Sequence, residues 1–361
     1  MELRALARVR LRNQHLAGAP LPTPEAVVGW FGAVQAQDYP GAKWSIGQRA
    51  SGVRDEDLDL ALASGSLVRT HVLRPTWHLV LPSDLRWLLE LTGPRIHAGN
   101  RTQYRQLELD EPTANRARAI LETGLSGGRK LTRREIGELL AREGVVLDGF
   151  RLTYILMRAE LEGVVCSGGL KGRQQTYALF DERVPRGSLQ RDEALAELVR
   201  RYFRGHGPAT LRDFTWWSSL TVADARRGLE LAGDRLESHR WEGRRYWSAP
   251  GAAVPATDPP RAHLLQGFDE YLVAYRESKD VFLAAGLIET APVPRPPLTH
   301  ALVVDGQLIG HWQRRLGARP PAIEVRSLRR LDAGERAMLD REIERYAGFI
   351  GQPLRFSDAS D

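Results

Sequence analysis

Cysteine is almost absent from this chain, with Cys166 standing alone among 361 residues. A single thiol excludes an intramolecular disulfide and every metal or iron–sulfur pattern built on several cysteines. Cys166 is expected to be a small apolar filler. Lysine is scarce too: Lys43, Lys130, Lys171 and Lys279 are the only ones, so nearly all of the 51 Lys and Arg cations are arginines. No apolar run is long enough to cross a bilayer, and no segment has the order of a signal peptide. A cytoplasmic protein with no membrane partner is expected. Neither G-x-x-x-x-G-K-[ST] nor a Rossmann glycine fingerprint occurs, and Gly127-Gly128 reads only as a turn. No serine or cysteine sits in a nucleophile elbow. His71 and His78 fall on adjacent strands without a compact set of further ligands, so no metal and no cofactor are expected.

What the chain does have is positive charge. A net charge of +6 and a pI near 9.6 point to a polyanionic partner. Arginine suits bidentate phosphate contacts, although high-GC codon usage yields the same bias. Hydrophobic residues at 42% and charged residues at 27% describe an ordinary globular protein, and the length fits two to four modules.

The fold class read from the pattern is α+β: three tandem winged-helix modules followed by a small C-terminal β-barrel or sheet domain. The expected boundaries are 1–125, 126–188, 189–250 and 258–361. Three times the chain passes through helices, a glycine stop and two strands joined by a basic turn. The middle copy is clearest. Thr132 and Glu135 form a capping box, a second helix spans about 150–162, and 164–180 reads as a hairpin with Lys171 and Arg173 at its tip. In the third copy a helix stops at Gly205 to Pro208, Thr210 and Thr221 open two more, and a hairpin carries Arg244 and Arg245. Trp216 and Trp217 sit in mid-helix and read as core. The first copy has a helix at about 24–34, an acidic helix at about 55–63, and strands at 67–73 and 76–81. Helices at about 84–91, stopped by Pro94, and at about 113–123 then lead to the middle copy. Residues 251–260 read as a linker, and apolar stretches at 262–266, 271–275, 300–304, 308–312 and 323–325 as strands before a helix at about 333–347.

Two features of the first module point to chemistry. Gln35 and Gln37 stand one residue apart where a helix runs out. In an extended chain such residues point the same way, about 6.5–7 Å apart, and could hold one small molecule between two neutral amides. The set Thr70, His71, Arg74, Thr76 and His78 is denser than a solvated hairpin needs, and is read as active-site support or DNA-binding. Lys171, Arg173, Arg244 and Arg245 are candidate phosphate contacts. Asp38, next to Gln37, should point away from the pair and is read as structural.

Val-Gln-Ala-Gln-Asp at 34–38, Trp44-Ser45, the run from Arg69 to His78 and the run from Leu265 to Leu272 together resemble the AlkZ-like bacterial DNA glycosylases, over nearly the whole chain. Gln266 and Ala274 depart from the residues usual at those positions. The resemblance implies three winged helices and a barrel around a DNA-holding channel, with Gln35 and Gln37 as the catalytic Q-x-Q triplet. It implies a monofunctional glycosylase acting on double-stranded DNA that carries N7-alkylguanine, including bulky antibiotic adducts or interstrand crosslinks, in repair or self-resistance. A monomer without cofactor is expected. The alternative left open is a non-catalytic winged-helix regulator or damage-binding protein; a nuclease would need a carboxylate cluster that the sequence does not show.

Overall fold

A computed structural model describes residues 3–252, 258–283, 300–315 and 321–358. The chain opens with α1 (Leu3–Asn13) and α2 (Pro24–Phe31). The side chain of Thr23 accepts from Ala26 N–H at 3.1 Å and starts α2. Gly32, at φ 86°, ends it by donating to Val28 O at 2.8 Å. The helix thus stops before residue 34, which frees Val34–Gln35 to form β1. Next come α3 (Tyr39–Gly47) and α4 (Asp55–Ser64), then β2 (Val68–Val72) and β3 (Arg74–Val80). These strands make a sheet of order β1-β3-β2.

Helix α5 (Pro82–Gln106) overturns the expected stop at Pro94. Proline inside a helix costs about 3 kcal/mol, but burial on both sides of it outweighs that. Leu85, Trp87, Leu88 and Leu91 are buried before Pro94, and Ile96 and Tyr104 after it. After α6 (Glu111–Leu125), the middle unit runs β4 (Leu131–Thr132), α7 (Arg133–Arg142), α8 (Gly149–Leu161), β5 (Val165–Lys171) and β6 (Gln174–Leu179). The Thr132 and Glu135 capping box forms as read. This unit has its own core, from Leu121 and Ile136 to Ile155 and Tyr177. The third unit runs α9 (Arg191–His206), α10 (Leu211–Ser218), α11 (Val222–Ala232), β7 (Glu237–Trp241) and β8 (Arg244–Ser248), with capping boxes at Thr210 and Thr221. Cys166 is buried, and burial pushes its thiol up to about 12, consistent with an inert filler.

The C-terminal region contains β9 (Ala262–Leu265), α12 (Glu270–Val273), β10 (His300–Val304), β11 (Gln307–Arg315), β12 (Ala322–Ser327), α13 (Ala333–Ile350) and β13 (Arg355–Asp358). Two expectations are corrected here. The stretch 271–275, expected as a strand, begins as helix up to Val273 because Asp269 caps it, accepting from Tyr271 N–H at 2.9 Å. Among the described residues the strands form an open sheet, β13-β12-β11-β10-β9, and not a closed barrel. Leu339, Tyr346 and Phe349 of α13 join Trp44 of α3 in the core beside Leu264, Leu302 and Ile323 of the sheet, so apolar strand residues are covered by helices. Part of the expected linker, 253–257, lies outside the described residues.

Candidate active site

Strand β1 carries Gln35 into the floor of a cleft of about 1700 Å³ that Arg74, Thr76 and Trp216 also line. Gln35 is 4% exposed, and its side-chain Oε1 accepts from a guanidinium nitrogen of Arg74. Its backbone N–H donates to Glu270 Oε1 at 2.8 Å. Gln37 differs: it is exposed, is absent from the cleft lining, and accepts from Trp77 N–H at 3.3 Å. The linking residue is clamped as well, since Arg69 donates to Ala36 O at 3.0 and 2.9 Å. Asp38 points to a structural partner, Arg314, at 2.7 Å.

The hairpin β2–β3 supplies the rest. Gln35 pairs with His78 and His78 with Thr70, so these three residues form one row across the sheet and share a face. The pairing shifts register next to Arg74, giving β3 two extra residues, Pro75 and Thr76, which line the cleft. His78 is completely buried, and burial, aided by the Arg74 charge, pushes its pKa down to about 3. Its Nδ1 lies 2.9 Å from Thr76 O, which requires a proton on Nδ1 and leaves a lone pair on Nε2. That Nε2, Thr70 Oγ1, Thr76 Oγ1 and Arg74 Nε are buried without hydrogen-bond partners among the described residues. Folding leaves such groups unpaired only at a cost, so their clustering beside Gln35 marks a place for chemistry. His71 does not line the cleft; its Nδ1 pairs with Glu160, and its ring lies 5.1 Å from Trp77.

The cleft is basic. Arg74, Arg95, Arg212, Arg276 and Lys279 line it, and no carboxylate does among the described residues. Trp216 corrects the expectation of core. Trp217 is fully buried, whereas Trp216, 40% exposed, faces the cleft with the Arg276 and Arg74 guanidiniums 4.9 and 5.9 Å from its ring. Neighbouring helical residues point about 100° apart, so only one of the two can face the core.

Of the proposed phosphate contacts, Arg173 and Arg245 are exposed and make no ion pair among the described residues. Lys171 is exposed but paired with Glu135 at 2.6 Å. Arg244 is engaged: it bonds both carboxylate oxygens of Asp280 at 2.7 and 2.9 Å and ties β8 to the C-terminal region. Lys43 is held by Asp55 and Asp59 at 2.6 and 3.1 Å, so its amine is engaged. The described residues contain no group of three or more His, Cys, Asp or Glu able to hold a metal, and no helix long and apolar enough to cross a membrane.

Sequence reasoning missed Trp216 and Glu270. The latter had a signal: adjacent acids, Asp269 and Glu270, inside an otherwise apolar run, where a buried charge needs dedicated partners.

A basic cleft with the neutral amide of Gln35 at its floor suits a protein that handles a polyanion. The chain belongs to the DNA glycosylase AlkZ-like family, whose model matches residues 28–349. It is therefore a DNA glycosylase, a hydrolase of N-glycosyl bonds, which decides against the non-catalytic alternative. It is 28% identical over 326 residues to an interstrand DNA cross-link repair glycosylase of Streptomyces sahachiroi, covering 84% of this chain and 85% of that protein. The fold is similar to the solved structure of the Streptomyces sahachiroi DNA glycosylase AlkZ, with a TM-score of 0.79 and 23% identity over 99% of this chain and 100% of that one.

Proposed function

We propose that this glycosylase hydrolyses the N-glycosidic bond of N7-alkylguanine in double-stranded DNA, bulky adducts and interstrand crosslinks included, with Gln35 and Gln37 as its catalytic pair. One observation carries the reading: Gln35, its amide oriented by Arg74, lies on the floor of a cleft far larger than a purine needs. A guanine alkylated at N7 is cationic, and its glycosidic bond breaks without protonation of the base. What the protein must supply is a positioned water, and carboxamides can donate and accept hydrogen bonds to it. No titrating acid is required, which fits a neutral His78 as the cross-strand neighbour of Gln35. The helix–helix–hairpin units 1–125, 126–188 and 189–250 are read as winged-helix modules beside the sheet domain 258–361. Their exposed Lys171, Arg173 and Arg245 would grip phosphates as a monomer binds the duplex, in the cytoplasm and at the nucleoid.

The experiment is incubation of the protein with duplexes bearing N7-methylguanine, a bulky N7-guanine adduct, an N7-guanine crosslink or uracil, followed by alkali. Strand breaks at the N7-alkylated sites and none at uracil are expected. Release of uracil at a comparable rate would contradict the leaving-group argument.

A further inference from the structure

Gln35 stands on an edge strand, and its backbone N–H points away from β3, because it is Ala36 N–H that bonds Trp77 O, at 2.7 Å. An edge amide needs another acceptor, and here a side chain from far along the chain supplies it. Glu270, 1% exposed, accepts from Gln35 N at 2.8 Å through one oxygen, and from Trp217 Nε1 at 2.9 Å and His206 Nε2 at 3.0 Å through the other. Burial pushes its pKa up, but the hydrogen bond and electrostatic attraction to His206, followed by the hydrogen bond from Gln35, more than offset this and bring it to about 2, so the group is ionised. Its position is fixed from behind. The neighbouring Asp269 accepts from Arg49 at 2.7 and 2.8 Å and from Ser45 Oγ at 2.6 Å, all buried.

A charge in this place has a use. The transition state for loss of a purine puts positive charge on the sugar, and the group oriented onto Gln35 is the cation Arg74. Unbalanced, Arg74 would repel that charge, and no carboxylate among the described residues lining the cleft could compensate. We propose that Glu270 is a positioning residue of the reaction: it sets the main chain of Gln35 and holds the buried negative charge that lets the site accept a cationic sugar beside Arg74. The proposal rests on the function read for the site above. It implies that the sugar subsite prefers a cationic five-membered ring to a neutral one of the same shape.

The test is binding of duplexes carrying either a pyrrolidine abasic-site analogue, cationic at neutral pH, or its neutral tetrahydrofuran counterpart. Wild-type protein should bind the cationic duplex at least about tenfold more tightly. Glu270→Gln keeps the acceptor for Gln35 but removes the charge, so the preference should vanish while tetrahydrofuran affinity changes less than about threefold. Glu270→Asp, which keeps the charge, should retain most of the preference. A wild-type protein without preference, or a Glu270→Gln variant with the wild-type preference, would overturn the proposal. The wild-type ratio decides alone if the variant does not fold. Because no base is released in this assay, failure to excise N7-alkylguanine would sink the functional reading and leave the ratio to judge Glu270.

Discussion

The hairpins β2–β3 and β5–β6 follow their helices in the same order, yet the first buries charged and titratable side chains and the second chiefly apolar ones. β5–β6 hides Val165, Cys166, Tyr177 and Ala178 and leaves Lys171 and Arg173 in water. β2 is buried along its whole length although its centre reads Arg69-Thr70-His71, and its partner strand buries His78 completely. Apolar residues there would be cheaper to fold, since desolvated polar groups lose several kcal/mol each unless paired. One hairpin exposes its cations, which suits the phosphate grip proposed for it. The other carries polarity inside, next to Gln35, where the glycosidic bond would be hydrolysed.

The largest effect should come from the buried side. Gln35→Ala is expected to slow base release from N7-methylguanine DNA at least about tenfold, about 1.4 kcal/mol or more of barrier, with duplex affinity retained. A wild-type rate would remove Gln35 from the chemistry. Arg74→Ala should have the next largest effect, a fall of roughly fivefold to tenfold in single-turnover rate, because the amide of Gln35 loses the donor that orients it.

On the exposed side the effects are smaller and of another kind. Arg173→Ala and Arg245→Ala should each lower the slope of log affinity against log salt by about 0.9 if each contacts one phosphate, with rates unchanged at saturating protein. Arg244→Ala should leave that slope alone, since Asp280 already holds the guanidinium. An equal loss of slope for Arg244 and Arg245 would show that the ion pair opens on DNA.

The smallest change concerns pH. His78 has its pKa lowered from 6.5 to about 3, so it stays neutral across the working range, and the release rate should be flat from about pH 6 to 9. The same shift bears on stability. The unfolded chain takes up the proton first, so stability contributed by neutral His78 is present above 6.5 and is lost as pH falls towards about 3. His78→Phe should flatten the decline of melting temperature over that window. A variant declining as steeply as wild type would place the acid sensitivity elsewhere.

The exposed hairpin was legible in the sequence because its signals are local. Thr132 caps its helix, Gly163 stops the next, and Lys171 and Arg173 mark the tip. The strands 271–275 and the helix stop at Pro94 were misread because tertiary packing outbid local propensity there. Asp269 caps α12 while anchored by Arg49, and α5 continues past proline to bury Ile96 and Tyr104. In the site itself, Gln35 was legible from its position after a helix end and His78 from the polar density of its strand. Glu270 was not assigned, because its contact with Gln35 spans 235 residues of sequence and goes to a backbone N–H, so that the adjacent acids in an apolar run marked a buried charge without naming its partner.

The most direct measurement compares single-turnover base release, at saturating protein and low salt, by Gln35→Ala and by the Arg173→Ala, Arg245→Ala double variant. Both would act on the same duplex bearing one N7-methylguanine. The account predicts that Gln35→Ala falls at least about tenfold while the double variant matches wild type once DNA is bound. A double variant that stays slow at saturation beside a Gln35→Ala protein of undiminished rate would contradict it, and would move the chemistry away from Gln35 and the buried hairpin beside it.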